Sequence, residues 1–362
     1  MSEFNIAAID KNMAIETKIP DKDLHFYDVR QHDAFEIYGL YHAKKEPVFK
    51  RLPDDIAHAT NPGVAGLYLQ TAGGRIRFST DSSYIALKVM IPSLHHMDHM
   101  ALSGSSGFDL YIDSPAGSRF HRLFRTGTGA KTDYEAVVRF PTREMRSFTL
   151  HFPTYNAVNA VYVGLQEDAR LERGMPYRPL APIVFYGSSI TQGACSSRPG
   201  LCYSNILSRR LNIDHINLGF SGNGKAEPVI VDYMKNLKMS VFVSDYDHNA
   251  PNAEYLEKTH YAMYRAIRDA NPTLPYIMLS KPDFDLEPIP TAAARRRVVQ
   301  ETYRRARAEG DKRVYYIDGE GIYRGPDRDS CSVDGTHPND IGFMKMADAI
   351  ECMLKRALRG IM

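Results

Sequence analysis

The chain has no tryptophan and only four cysteines in 362 residues (Cys195, Cys202, Cys331, Cys352), none of them arranged as C-x-x-C. Four thiols are too few for a disulfide scaffold, so a reduced, cytoplasmic protein is the expectation. Cys195 and Cys202 are near enough in sequence to pair, and spacing alone leaves that open. Without tryptophan, any flat aromatic platform for a sugar must come from the 22 tyrosines or 16 phenylalanines. A charge excess is also lacking. Forty-five Lys and Arg against 43 Asp and Glu leave +2, which argues against nucleic acid as a main partner. No run approaches 18 apolar residues, and the best, 84–92, is strand-sized and interrupted by Lys88, so no membrane span is expected. Residues 1–20 lack the basic start and apolar core of a secretory signal, because Asp10 and Lys11 break the one mildly apolar stretch.

What remains has the proportions of a folded globular chain, 24% charged and 43% hydrophobic, and its length predicts about two domains. Its character changes near residue 170. Up to there the chain reads as short strands at 64–71, 74–79, 84–91, 107–112, 119–126, 134–140 and 147–152, punctuated by Gly, Pro, Asp and Ser. That spacing predicts a β-sandwich or jelly roll over 24–166, behind an extension at 1–23. Residues 167–181 are polar and proline-bearing and read as a linker. From 182 to 362 the rhythm is strand, turn, helix. Apolar runs at 183–186, 215–218, 240–244, 276–279 and 314–317 alternate with helical stretches at 202–211, 228–237, 253–270, 292–308 and 339–358. This alternation predicts a parallel sheet covered by helices on both faces, with ligands beyond the carboxyl ends of its strands.

The most informative segment is 183–193, an apolar strand running into Gly187-Ser188-Ser189-Ile190-Thr191 and a second glycine. A glycine at 187 permits a sharp turn that lifts a serine to the sheet edge, among backbone N–H groups suited to an anion. The plain structural reading of such a loop is a helix cap. A nucleophilic serine also needs a base and oxyanion donors. The segment 334–343 offers the base, since Asp334 and His337 sit three apart on one loop, where the carboxylate can hold one imidazole nitrogen and leave the other for a hydroxyl. The plain alternative is that Asp334 only caps a turn. Between them, Gly222 and Gly224 follow the second strand and free backbone donors, and 245–249 forms a polar cluster after the third. All these features fall at one end of one sheet.

These motifs resemble the SGNH/GDSL hydrolases, a superfamily of serine esterases, lipases and acyl transferases with a flavodoxin-like α/β/α sheet. Gly187-Ser188-Ser189-Ile190-Thr191 stands where the family has Gly-Asp-Ser-Ile-Thr. The resemblance implies Ser189 as nucleophile, Gly222 as the oxyanion glycine, and Asp334 and His337 as the closing Asp-x-x-His. The family's Gly-x-Asn-Asp motif is absent. Asn249 is the choice for the oxyanion asparagine, because an amide donates where ionised Asp245 and Asp247 cannot; Asn223 is the alternative. Phe108-Asp109-Leu110-Tyr111 after Gly107 matches the Gly-x-Asp-Leu-Tyr signature of a β-domain found before some bacterial SGNH esterases. The pair implies a short-chain, acetyl-type ester of a carbohydrate as substrate, no cofactor and no metal, with acyl transfer or an inactive carbohydrate-binding role as alternatives.

Asp109 and Arg198 are taken as candidate substrate contacts, against plain readings of a strand edge and a solvated loop arginine. The run from His95 to His99, with three histidines and Asp98, lacks the usual zinc spacing and reads as a loop overhanging the active-site mouth. Arg295–Arg297 and Arg304–Arg305 read as a solvated helix face.

Overall fold

The computed structural model describes residues 19–94, 96–127, 129–283 and 290–359. In the N-terminal region the elements are β1 (Leu24–Asp28), β2 (Glu36–Tyr38), α1 (Asp54–Thr60), α2 (Pro62–Leu67), β3 (Arg75–Thr80), β4 (Tyr84–Met90), α3 (Leu102–Ser105), β5 (Phe108–Ser114), β6 (Gly117–Phe124), β7 (Tyr134–Arg139), β8 (Arg146–His151), β9 (Ala160–Gln166) and β10 (Leu171–Arg173). They form two antiparallel sheets, ordered β1-β9-β4-β7 and β10-β3-β8-β5-β6, with β2 added to β3. One hydrophobic core joins the sheets, drawing Ile76 and Phe78 from β3, Ile85, Leu87 and Val89 from β4, and Phe148 and Leu150 from β8. Six of the expected strands are present. The seventh, 64–71, is corrected. Asn61 accepts from the Val64 N–H (2.8 Å), Pro62 fills the first turn, and the chain winds into α2. The cap and the proline outweigh the strand-sized apolar stretch. Val64 and Tyr68 then pack with Leu52 and Ala57 in the core of the second half.

That half contains β11 (Ile183–Gly187), α4 (Ser189–Gln192), α5 (Tyr203–Leu211), β12 (His215–Gly219), α6 (Pro228–Lys235), β13 (Val241–Asp245), α7 (Ala253–Ala270), β14 (Tyr276–Leu279), α8 (Pro290–Ala308), β15 (Val314–Ile317) and α9 (Asp340–Ala357). Every expected strand and helix here has its counterpart. All strands are parallel, in the order β12-β11-β13-β14-β15, the arrangement of flavodoxin-like sheets. Strand periodicity divides the buried side chains between two layers. Val184, Tyr186 and Phe242 join the core under α6, α7 and α8, together with residues around α1 and α2. Ile183, Phe185, Val241 and Val243 join the other, under α5 and α9. Strand order reverses at β11, so a crevice opens at its carboxyl end. Among the described residues no helix is long and apolar enough to cross a membrane. The four cysteines are free thiols.

The two halves meet across a buried polar seam. On β3, β5 and β8 the even-numbered residues enter the sandwich core, and the odd-numbered ones Arg75, Arg77, Asp109, Tyr111, Asp113, Thr149 and His151 are buried on the opposite face. Arg75 pairs with Asp214 and donates to the His215 carbonyl (3.0 Å). Arg77 binds Asp113 (3.2 Å) and Asn212 Oδ1 (3.2 Å). Asp109 accepts from Arg198 (3.1 Å) and the Gly200 N–H (2.9 Å), and its other oxygen lies 3.0 Å from His151 Nδ1. Residues 167–181, expected as a linker, belong partly to this seam. β10 extends the sheet beside β3, and Tyr177 receives Arg75 Nε (3.1 Å) and stacks on Arg77.

A buried carboxylate that neutralises several partners is expensive to delete, because those partners stay buried without it. Asp109→Ala should therefore lower unfolding stability by about 3–5 kcal/mol. Urea unfolding followed by circular dichroism measures it, and a loss below about 1 kcal/mol would show that the seam is held elsewhere.

Candidate active site

At the end of β11 the chain must turn within one residue, and at position 187 glycine is the residue type that fits. A Cβ there would collide with the Asp245 carbonyl and with Thr191 Oγ1. The two neighbouring strands are tied to this point, since the Gly187 carbonyl accepts from Phe220 N–H (2.9 Å) and Ser188 N–H donates to the Asp245 carbonyl (3.1 Å). Ser188 caps the one-turn α4 by accepting from Ile190 N–H (3.1 Å). Ser189 thus occupies the first helical position, nearly buried, and its own N–H has no hydrogen-bond partner among the described residues. α4 ends at Gly193 with φ 103°.

The loop before α9 brings an imidazole to Ser189. Ser189 Oγ lies 3.0 Å from His337 Nε2, and His337 Nδ1 lies 2.7 Å from Asp334 Oδ2. The other carboxylate oxygen accepts from the backbone N–H groups of Thr336 (3.0 Å) and His337 (2.7 Å). Turn cap and imidazole orienter are therefore the same residue, one role for each oxygen. Partial burial pushes the Asp334 carboxyl upward, but the hydrogen bonds from His337 and Thr336 outweigh it and hold the group down at about 2. Asn339 then caps α9 through Ile341 N–H (3.0 Å) and Gly342 N–H (3.2 Å), which anchors the loop's far end.

Gly222, with φ 66°, presents an N–H that also has no partner among the described residues. Its loop hangs from one carbonyl, that of Phe220, which accepts from Asn223 N–H (2.9 Å), Gly224 N–H (3.0 Å) and Asn249 Nδ2 (3.0 Å). The two candidate asparagines separate here. Asn223 donates to the Ser221 carbonyl (2.8 Å) and packs against Gly63, so its amide serves the turn. Asn249 spends one amide hydrogen on Phe220 and has a second to give. It is not the cap of the following helix, because Asn252 accepts from Tyr255 N–H (2.8 Å) and caps α7.

Several residues at the site carried no local signal. Gln192 accepts from Ser221 N–H (3.0 Å) and donates to Gln70 Oε1 (2.5 Å) and the Thr154 carbonyl (3.2 Å), linking α4 to the Gly222 loop and the N-terminal half. Tyr155 donates to the Ser189 carbonyl (3.3 Å). Arg51, fully buried, donates to the carbonyls of Gly219, Asn217 (3.4 Å), Leu67 (2.8 Å) and Gln70 (2.6 Å) and lies over the Phe220 ring. Its partners are sixteen or more residues away, beyond the reach of a motif. Behind α4, burial pushes the Asp245 carboxyl up to about 6 while Thr191 donates to it (3.1 Å).

Asp109 corrects the expectation of a substrate contact. Asp109 is wholly inaccessible and committed to the seam, and Arg198 is engaged by Asp109, Tyr111 and the Phe120 ring. Of the 95–99 run, His95 lies outside the described residues, and the His99 ring comes within 5.7 Å of the His337 ring.

Two outcomes follow from this geometry. A carboxyl group with a depressed folded-state value adds stability above its ordinary 3.8 and loses it as pH falls through about 2. The stability advantage of the native chain over Asp334→Asn should therefore be full at pH 7 and shrink from pH 4 downward, which thermal unfolding across pH checks. Asn252→Ala should cost about 0.5–2 kcal/mol of stability and leave turnover near normal. Asn249→Ala should instead reduce kcat by about 10²–10³ with KM steady. Melting temperature measured beside kcat separates the two, and an active but destabilised Asn249→Ala would reverse the assignment.

Residues 181–355 match the GDSL-like lipase/acylhydrolase family, and residues 24–171 match the N-terminal GxDLY domain of SGNH-hydrolase-type esterases. No curated protein matches the chain in sequence. Among solved structures it is similar to a Bacteroides ovatus protein named as a GDSL-like lipase, at 26% identity and a TM-score of 0.83 over 93% of this chain and 98% of that one. It is also similar to a salicylyl-acyltransferase from a tetracycline biosynthetic pathway (19%, TM-score 0.75, 94% and 98% covered). A third is a family two carbohydrate esterase from Clostridium thermocellum, solved with cellohexaose (13%, TM-score 0.61, 90% and 99%). Residues 181–355 belong to the GDSL-like lipase/acylhydrolase family and make the chain an SGNH-type ester hydrolase, with a GxDLY domain at residues 24–171 on their N-terminal side.

Proposed function

We propose that the protein is a serine esterase that removes short acyl groups, acetyl above all, from a carbohydrate. The observation that carries the reading is the hydrogen-bonded chain Ser189–His337–Asp334 at the point where strand order reverses. Ser189 Oγ attacks the ester carbonyl carbon as His337 Nε2 takes its proton, and Asp334 holds the imidazole and stabilises its charged form. The N–H groups of Ser189 and Gly222 and the Asn249 amide receive the developing oxyanion. Collapse expels the alcohol with the proton from His337. Water then repeats the sequence on the acyl-enzyme.

A small apolar group has a natural neighbour in Tyr155, Ala194 and Cys195, against which Met97 and Met100 pack. Three of these five come from the N-terminal half, so that half walls the cleft. The carbohydrate is supported by the likeness to carbohydrate esterases, one solved with cellohexaose and another described as an acetyl xylan esterase. A second reading, acyl transfer to an alcohol by the same residues, is supported by the likeness to the salicylyl-acyltransferase.

Ser189→Ala or His337→Ala should lower kcat on an aryl acetate by about 10³–10⁶ while the melting curve stays in place. A fluorophosphonate should label Ser189. Near-normal turnover in Ser189→Ala removes the mechanism. Product analysis with and without added alcohols decides between free acid and transferred ester. Met97→Ala should impair a bulky sugar ester more than an aryl acetate, and equal effects would make the N-terminal half a scaffold only.

A further inference from the structure

Sequence alone bunches three histidines at 95–99, a poor ligand set. Folding selects one of them and gives it different companions. His99, Cys195 and His337 come from three distant segments, and their ligand atoms all lie within 4.8 Å of one another. Ligands at ordinary zinc bond lengths, about 2.0–2.3 Å, stand about 3.3–3.8 Å apart in a tetrahedron, so closure requires movements of about 1 Å. His99 is the exposed member, on a loop whose continuation is fixed: Ser103 Oγ donates to the Ser197 carbonyl (2.6 Å), and Gly104 rests on the Ser196 carbonyl. The same contacts that fasten α3 to the 195–197 segment therefore bring imidazole to thiol.

We infer that His99, Cys195 and His337 Nε2 form an inhibitory site for a thiophilic divalent cation such as zinc, which switches the hydrolase off by taking the lone pair that Ser189 needs. Two imidazoles and a thiolate suit zinc or cobalt and not magnesium or calcium. On binding, the Cys195 S–H bond breaks, its proton passes to solvent and a metal–sulfur bond forms; no electrons change hands. His337 Nε2 lies 3.0 Å from Ser189 Oγ when the site is active, so the metal and that hydrogen bond exclude each other. The consequence for activity rests on the esterase reading. The binding itself does not.

Cobalt(II) titration of the full chain tests the binding. One equivalent should bring up thiolate-to-cobalt charge-transfer absorption, absent in Cys195→Ser and kept in Cys352→Ser, whose thiol is exposed elsewhere. His99→Ala, at an exposed position, should bind at least about tenfold more weakly, the scale of losing support at a metal site. Ser189→Ala should bind as tightly as the native chain or better, because the competing hydroxyl is gone. In parallel, zinc should inhibit aryl acetate turnover and EDTA restore it, with His99→Ala needing at least about ten times more zinc, each variant referred to its own zinc-free rate. A thiolate band that survives in Cys195→Ser, no band at all, or unchanged affinity in His99→Ala overturns the site. If the band behaves as expected but no ester is turned over, the esterase reading fails and the metal site stands. Turnover without the band overturns the metal site and leaves the esterase reading in place.

Discussion

The site depends on one steric constraint, the absence of a side chain at Gly187. With no Cβ in the way, the end of β11 comes close enough for its carbonyl to accept from Phe220 and for Ser188 to donate to Asp245. Those two bonds fix the loops of both neighbouring strands to the Gly187–Ser189 turn. The Gly222 N–H, the Asn249 amide and the Ser189 N–H are then set relative to one another by backbone. Any larger residue at 187 would push these loops apart together.

Around that point the chain separates its charges by environment. Asp334, near solvent and satisfied by three donors, stays ionised and can support a cationic histidine. Asp245, fully buried behind α4 with one hydroxyl donor, is pushed the other way. Two carboxylates at one sheet edge thus have opposite tendencies, and only the first faces the imidazole.

The N-terminal half contributes to the site itself. Arg51 has no carboxylate partner among the described residues and is spread over four carbonyls, two of them at the end of β12 just before Phe220. Tyr155 and Gln70 reach α4 directly or through Gln192. The ion pairs of the seam do not favour association by much, since desolvation offsets their attraction, but a shifted docking would leave them buried and unpaired. Such a seam enforces orientation. The metal site inferred at His99 is one consequence, because it exists only where the two halves meet.

Much of this is legible in the chain. Short continuous apolar runs alternating with helical stretches point to the parallel sheet, since strands buried on both faces read this way and turn chemistry marks their ends. The Ser188–Ser189 turn, Asp334 and His337 can be singled out because strand ends and pre-helix loops announce themselves by glycine, proline and small polar residues, and the family resemblance chooses Ser189. Residues 64–71 mislead because a short apolar run is ambiguous, and the cap at Asn61 followed by Pro62 decides for helix. What only the tertiary structure decides is partnership. Asp109 looks like a ligand contact in the sequence because of the motif around it, and its partner is Arg198, 89 residues away. Arg51, Gln70 and Tyr155 are invisible there, and His99 and Cys195 give no hint of each other. Local sequence records the propensity of a segment, whereas a buried hydrogen bond is specified by two segments and the docking angle between them.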